Sequence, residues 1–240
     1  MKKVNGSAVS QKKGALYSGV NQFEAKAACQ ALGDGFELIT NDQWQNIARN
    51  IAYNAKNWSY SEPFQGQLSI GFSEGTGFEA PLEAGEDHDG CYGTKRNCTF
   101  AVFSSHRRTH ILTNEEVIWD FSGNLCEWTS SSNAGLVKNT PNNFLSLIRK
   151  HDVIRHFSIE EACDDPENAP YCGYGFLWSA IGPDNKRLKP HLYVTNGGII
   201  RGGCNPRSYL SGVFAANYSF TPDRKFNIVG FRCTYSPPTK

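Results

Sequence analysis

The chain has 240 residues, 39% hydrophobic and 20% charged, enough for one large or two small globular domains and unlike a disordered or fibrous chain. Lysine and arginine number 24 against 23 aspartates and glutamates, a net charge of +1, so no basic field argues for nucleic acid as a partner. No apolar run approaches the ~18–20 residues of a membrane-spanning helix, and Met1-Lys2-Lys3-Val4-Asn5 lacks the apolar segment of a signal peptide, so a soluble chain with no transmembrane segment is expected.

The first predicted helix starts at Asn21 as N-cap with Glu24 three residues on, carries Phe23, Ala27, Ala28, Ala31 and Leu32 as its apolar stripe, and stops at Gly33. A second starts at Thr40 with Gln43 completing a capping box, and Trp44, Ile47, Ala48 and Ile51 fall on one face. From Leu68 the pattern turns to short apolar pieces among glycines, followed by an acidic loop over residues 83–89. Val117, Trp119 and Phe121 alternate before Ser122-Gly123-Asn124, and residues 125–129 resume an extended pattern, which reads as strand, tight turn, strand. Residues 130–196 read as an insertion on a sheet scaffold, with one candidate helix at 144–157. Val229, Phe231, Cys233 and Tyr235 alternate as one face of a closing strand. The expectation is a single α+β domain over residues 1–240, helices first and sheet after.

Four motifs are specific. The stretch from Phe36 to Trp44 resembles the "RLPTEAEWE" segment of the formylglycine-generating-enzyme-like family, and Gly123-Asn124-Leu125-Cys126-Glu127-Trp128 resembles its "GNVWEW" core. Arg201-Gly202-Gly203 and Gly230-Phe231-Arg232 resemble its closing "RGG" and "GFR". The resemblance implies a C-type-lectin-like fold, two helices on a short twisted antiparallel sheet with long loops forming one face.

Within that family the tail resembles the variable proteins of diversity-generating retroelements. The triplet at 201–203 is followed, after seven residues, by Ser211-Gly212-Val213-Phe214-Ala215, and later by Val229-Gly230-Phe231-Arg232-Cys233. Residues 87–94, 107–110 and 116–120 also resemble that subfamily. Copying errors at template adenines would there vary codons that end in a pyrimidine, which cannot encode Trp, Met, Gln, Glu or Lys. Those types make up 39 of the 240 residues, yet only Lys225 is found among the 24 from Cys204 to Asn227, where about four would be expected. A Ser/Asn/Pro-rich loop would show a similar depletion.

The resemblance therefore implies a variable region over 204–227. Its candidate ligand-binding residues are Asn205, Pro206, Arg207, Tyr209, Leu210, Asn217, Tyr218, Ser219, Phe220, Asp223, Arg224, Lys225 and Phe226. Aromatics supply contact area at low rotamer cost, arginine supplies planar charged donors, and Ser and Asn adapt. The aromatic residues read equally well as ordinary core of a sheet.

Catalysis finds less support. An active formylglycine-generating enzyme has a copper-binding cysteine pair about four and nine positions after the RGG, and Arg207 and Gly212 stand there, with Cys204 alone nearby. Gly71-Phe72-Ser73-Glu74-Gly75 matches G-x-S-x-G, but Gly75, Gly77 and Pro81 break the helix that a nucleophile elbow requires. His106 and His110 are four apart, and the arginines between them read as a solvated basic segment. Glu83, Glu86, Asp87 and Asp89 read as a solvated acidic loop, with a structural calcium ion as the alternative. No cofactor, catalytic residue or metal ligand is expected.

The eight cysteines form an even set without paired CxxC spacing, which favours disulfides over zinc and points to an oxidising compartment. The lectin-type fold implies Cys29 with Cys233; Cys126 with Cys204 is the expected second bridge, and Cys91–Cys98 and Cys163–Cys172 are local staples. The resulting expectation is a non-enzymatic receptor- or adhesion-type protein, extracellular or on a cell or virion surface, recognising a protein or glycan. A formylglycine-generating-type oxidase is the alternative.

Overall fold

The computed structural model describes residues 1–11, 13–63, 68–73, 81–85, 88–96, 98, 104–132, 197–203 and 211–237, with the side chains of 216–219 set aside. Among these residues, two α-helices and four small sheets make an α+β architecture.

Helix α1 (Gln22–Gln30) begins on the predicted capping box, with Asn21 Oδ1 accepting from the Glu24 amide at 2.8 Å and the Glu24 carboxylate accepting from the Asn21 amide at 3.1 Å. Two otherwise orphaned amides are thereby satisfied. Its buried face differs from the predicted stripe: Gln22, Ala25 and Cys29 point inward, and Phe23 is 62% exposed. The reason is polar. Gln22 Nε2 donates to the carbonyls of Thr129 (2.5 Å) and Ser131 (2.9 Å) and Cys29 is bonded to Cys233, so anchors that hydropathy does not score set the helix rotation.

Helix α2 (Asn41–Tyr53) keeps its predicted box between Thr40 and Gln43, and Trp44, Ala48 and Ile51 are buried as the periodicity requires. Ile47 is half-buried against the same core.

The main sheet runs β8–β7–β6–β9, with β6 (Cys126–Ser132) at its centre beside β7 (Gly198–Arg201), β8 (Ala216–Phe220) on one edge and β9 (Val229–Phe231) on the other. It is mixed rather than antiparallel, because β6 and β9 run parallel, Trp128 opposite Phe231. The predicted hairpin around Ser122-Gly123-Asn124 does not form. Strand β5 (Val117–Trp119) instead pairs with β4 (Thr109–Ile111), and the Gly123 amide donates to the Gly202 carbonyl at 3.0 Å. The closing strand also divides. After Phe231 the chain leaves the main sheet, and β10 (Cys233–Tyr235) pairs with β3 (Phe36–Leu38), leaving Tyr235 55% exposed. A small N-terminal hairpin joins β1 (Lys2–Val4) to β2 (Ser7–Val9).

The core of the described residues falls into two clusters. One packs α1 through Ala25 and Cys29 against Leu38, Trp128, Ile200, Val229 and Phe231. The other packs α2 through Trp44, Ala48 and Ile51 against Ile39, Phe121 and Val213, with the Trp44 and Phe121 rings stacked 4.0 Å apart. Ser132 and Gly198 are register partners, so the chain leaves and re-enters the sheet at neighbouring points. The insertion expected over 130–196, with its candidate helix and the Cys163–Cys172 staple, lies almost wholly outside the described residues.

Candidate ligand-binding face

The C-terminal face is built on Arg201. This fully buried guanidinium donates from Nε to Asn41 Oδ1 and from Nη1 to the Phe214 carbonyl, both at 2.9 Å. Beside it Trp44 Nε1 donates to the Val213 carbonyl at 2.7 Å. The Gly202 amide donates to the Ala215 carbonyl (3.1 Å), the Gly212 amide to the Gly202 carbonyl (3.3 Å), and the Ala215 amide to the Gly212 carbonyl (3.0 Å). Residues 213–215 are thus a buried shelf held through main-chain oxygens.

From that shelf the chain runs up β8 and turns over residues 221–227, a segment fastened to the start of α1. The Pro222 carbonyl accepts from the Gln22 amide (2.9 Å), the Asp223 carbonyl from Asn21 Nδ2 (3.4 Å), and the Phe226 carbonyl from the Gly19 amide (3.2 Å). All three attachments again use backbone acceptors, which any residue at 222, 223 and 226 supplies. Asp223, Arg224, Lys225 and Asn227 are exposed. Lys225 Nζ reaches the Glu24 carboxylate at 2.5 Å, and this bond holds the Glu24 carboxyl below its ordinary pKa. Thr221 does the same for Asp223.

Of the sequence-predicted binding residues, Asp223, Arg224 and Lys225 share this exposed turn. Phe220 and Phe226 are half-buried, ring to ring at 4.5 Å, and pack on the α1 lobe of the core. They support the turn from beneath. Asn217, Tyr218 and Ser219 lie on β8 with backbone placement alone, and Asn205, Pro206, Arg207, Tyr209 and Leu210 lie outside the described residues. Sequence reading missed the first turn of α1 as the mount of this face, because the pattern around Asn21 signals helix capping and nothing more.

The remaining motif residues are structural. Arg232 pairs through Nε and Nη2 with the two carboxylate oxygens of Glu127, the Nη2 contact being 2.6 Å, and its guanidinium lies 4.9 Å from the Phe121 ring centre. The run at 106–110 is not a solvated basic segment: Arg107, Arg108, Thr109 and His110 are at most 1% exposed. Arg108 forms a bidentate pair with Asp120 (2.8 and 2.6 Å) and donates to the carbonyls of Leu82, Glu83 and Tyr92, while Arg107 donates to Thr109 O (2.9 Å) and Asn57 Oδ1 (3.1 Å).

The G-x-S-x-G match also resolves into packing. Gly71 has φ +77°, and a Cβ there would sit 1.8 Å from the Ser122 carbonyl oxygen. Its glycine serves close approach of two backbones. Ser73 is fully buried with Oγ 3.3 Å from the Gly71 carbonyl and 3.4 Å from His106 Nδ1, so its hydroxyl is not presented to solvent.

The disulfides Cys29–Cys233 and Cys91–Cys98 are present as expected. Cys126 is disulfide-bonded, and its expected partner Cys204 lies outside the described residues. A copper site of the formylglycine-generating type does not fit position 212: Gly212 brings no side chain, and its backbone is committed to the Gly202 and Ala215 contacts. Of the acidic loop, Glu83 is exposed and Asp89 is half-buried, accepting from the Cys91 amide, while Glu86 and Asp87 lie outside the described residues. Among the described residues no group of three metal-ligating side chains forms, and no helix is long and apolar enough to cross a membrane.

The FGE-sulfatase model, described as a sulfatase-modifying factor enzyme 1-like domain, matches residues 3–237. A search of curated proteins returns no match.

Proposed function

The chain belongs to the FGE-sulfatase family, and on that premise we propose that it is a non-enzymatic binding protein of C-type-lectin-like fold whose C-terminal face is diversified by a retroelement. The observation that carries this reading is the mode of attachment of residues 213–226. Val213, Phe214, Pro222, Asp223 and Phe226 are held through their carbonyl oxygens by Trp44, Arg201, Gln22, Asn21 and Gly19. A face fastened by backbone acceptors keeps its shape while its exposed side chains change, which is what a diversified surface needs. Phe220 and Phe226 give it an apolar base.

The face would take a protein or glycan displayed on another cell or virion, and disulfides in a chain of this kind suit the outside of a cell. The competing reading is an oxidase of the formylglycine-generating type. It rests on family membership, and Arg207 and Gly212 stand where its two thiolates would be. A soft metal requires such thiolates.

Sequencing downstream of the gene tests the proposal. A near-copy of the codons for 204–227, differing at adenines and lying beside a reverse transcriptase, is the expected result. Its absence, together with stoichiometric copper binding and thiol oxidation by the purified chain, would overturn it.

A further inference from the structure

The apolar stripe that periodicity assigns to the interior of α1 lies largely outside. Phe23 is 62% exposed, and Ala27 and Ala31, four and eight residues on, are exposed as well. Residues four apart on a helix are surface neighbours, so the three make one contiguous strip. A lone exposed apolar side chain calls for no partner, whereas a strip rimmed by charge marks a docking surface.

The strip begins where the C-terminal face is mounted. Phe23 stands between Gln22, whose amide donates to the Pro222 carbonyl, and Glu24, which pairs with Lys225. The free charge around it has one sign. Glu24 is taken by Lys225, and the Asp223 carboxylate accepts from the Thr221 hydroxyl and from its own amide. Exposed Lys26, three residues on from Phe23, and exposed Arg224, in the turn, form no ion pair among the described residues. Lys3 is a third such cation. Its ammonium lies 5.0 Å over the Tyr17 ring, and its charge reaches Glu24, where it adds to the larger lowering of the carboxyl pKa by Lys225 and the Asn21 amide.

We propose that Phe23, Ala27 and Ala31, with Lys3, Lys26 and Arg224 beside them, bind an acidic polypeptide segment whose apolar side chains lie along the strip and whose carboxylates meet the cations. This rests on the C-terminal face being the ligand face, and it selects protein over glycan for that face. Phenyl and methyl groups offer saccharide hydroxyls no hydrogen bonds to replace those lost to water. A second copy of the chain is disfavoured, since an isologous contact through the strip brings like charges together. Carboxylates do the converse and steer association from a distance. Phe23 and Lys26 lie outside 204–227, so fixed residues set the class of partner and the turn selects within it.

Selection of a phage-displayed peptide library on the immobilised full chain, followed by titration of the selected peptides, tests this. The enriched peptides should combine Asp or Glu with Leu, Ile or Phe, and should bind several-fold more weakly as NaCl rises from roughly 0.05 to 0.5 M. Phe23→Ser and Lys26→Glu should each weaken them by at least roughly tenfold, as loss of an interface anchor does, with circular dichroism and the melting temperature unchanged. Sialylated and neutral oligosaccharides, and sedimentation of the chain alone, are the comparisons. Peptides that lose affinity with Arg224→Ala but not with Phe23→Ser would keep the C-terminal face as a ligand site and overturn the present inference, while peptides indifferent to both would count against the face as well. The inference also fails if no acidic peptide is enriched, if oligosaccharides bind where peptides do not, or if the chain dimerises through Phe23.

Discussion

Arg201 and Asn41 meet at 2.9 Å, 160 residues apart in sequence, and through that contact the first turn of α2 and the shelf at Phe214 share one buried guanidinium. Replacing Arg201 by Met leaves the Asn41 side chain and the Phe214 carbonyl without this donor. The expected cost is about 3 kcal/mol, from loss of charge-assisted hydrogen bonds to buried acceptors. Urea unfolding should show it as a lowered midpoint, and amide exchange at residues 213–215 should accelerate more than at 44–51. Equal acceleration in both stretches would mean that Arg201 does not hold the shelf specifically.

The bond between Cys29 and Cys233 closes a separation of 204 residues. In the chain-entropy account such a closure is worth about 5 kcal/mol at most. The Cys29→Ala, Cys233→Ala double variant should therefore lose several kcal/mol, with little effect on the Cys91–Cys98 staple in a non-reducing peptide map. Recovery of Cys29 and Cys233 as free thiols from native wild-type protein would contradict the pairing.

His110 gives the fold an acid limit. Its Nε2 faces the Ser69 carbonyl at 3.1 Å, which assigns the proton to that nitrogen, and Nδ1 is buried without a partner among the described residues. Burial lowers its pKa from 6.5 to about 4; the Ser69 carbonyl opposes this, and Arg107 and Arg232 add to it. Between those two values the unfolded chain binds the extra proton and the folded chain does not. Stability is then full above about pH 6.5 and falls as pH drops towards 4, by roughly 3 kcal/mol in all. Urea midpoints over that window should decline in the wild type and flatten in His110→Gln. A wild-type profile as flat as the variant's would refute the assignment.

Gly71 and Ser73 separate a structural motif from a nucleophilic one. Gly71→Ala places a methyl group against the Ser122 carbonyl at a positive φ, and should cost more than about 3 kcal/mol or abolish soluble expression. Ser73→Ala removes a weakly bonded hydroxyl and should cost about 1 kcal/mol or less. Thermal melts of the two variants give the comparison, and a Ser73→Ala loss as large as that of Gly71→Ala would reverse the reading.

Local rules were legible where local groups decide the outcome. The boxes at Asn21–Glu24 and Thr40–Gln43 satisfy their helix ends from within four residues, so spacing alone located them. The inward face of α1 was not legible, since Gln22 is buried for its bonds to Thr129 and Ser131, more than a hundred residues away. The run at 107–110 misled for the same reason. Hydropathy reads two arginines and a histidine as surface, and Asp120, Asn57 and Ser69 are the distant partners that let them be buried. Strand β5 was found but mispaired, because a tight turn between two extended pieces signals a hairpin only when neither piece has a better partner, and Thr109–Ile111 was better. For the C-terminal face, the family resemblance pointed to residues 205–227 and the charges of Asp223 and Arg224 to their exposure, but nothing in the sequence pointed to the attachment through carbonyls to the start of α1.

The central claim, a face whose shape is indifferent to its exposed side chains, is most directly measured with a library in which Asp223, Arg224, Lys225 and Asn227 are randomised together. The account predicts that most members express as folded protein with melting temperatures within about 4 °C of the parent, the shift expected for roughly 1 kcal/mol in a chain of this size, while the set of ligands they capture differs from member to member. Widespread misfolding across the library, or a folded library with unchanged ligand recognition, would contradict it.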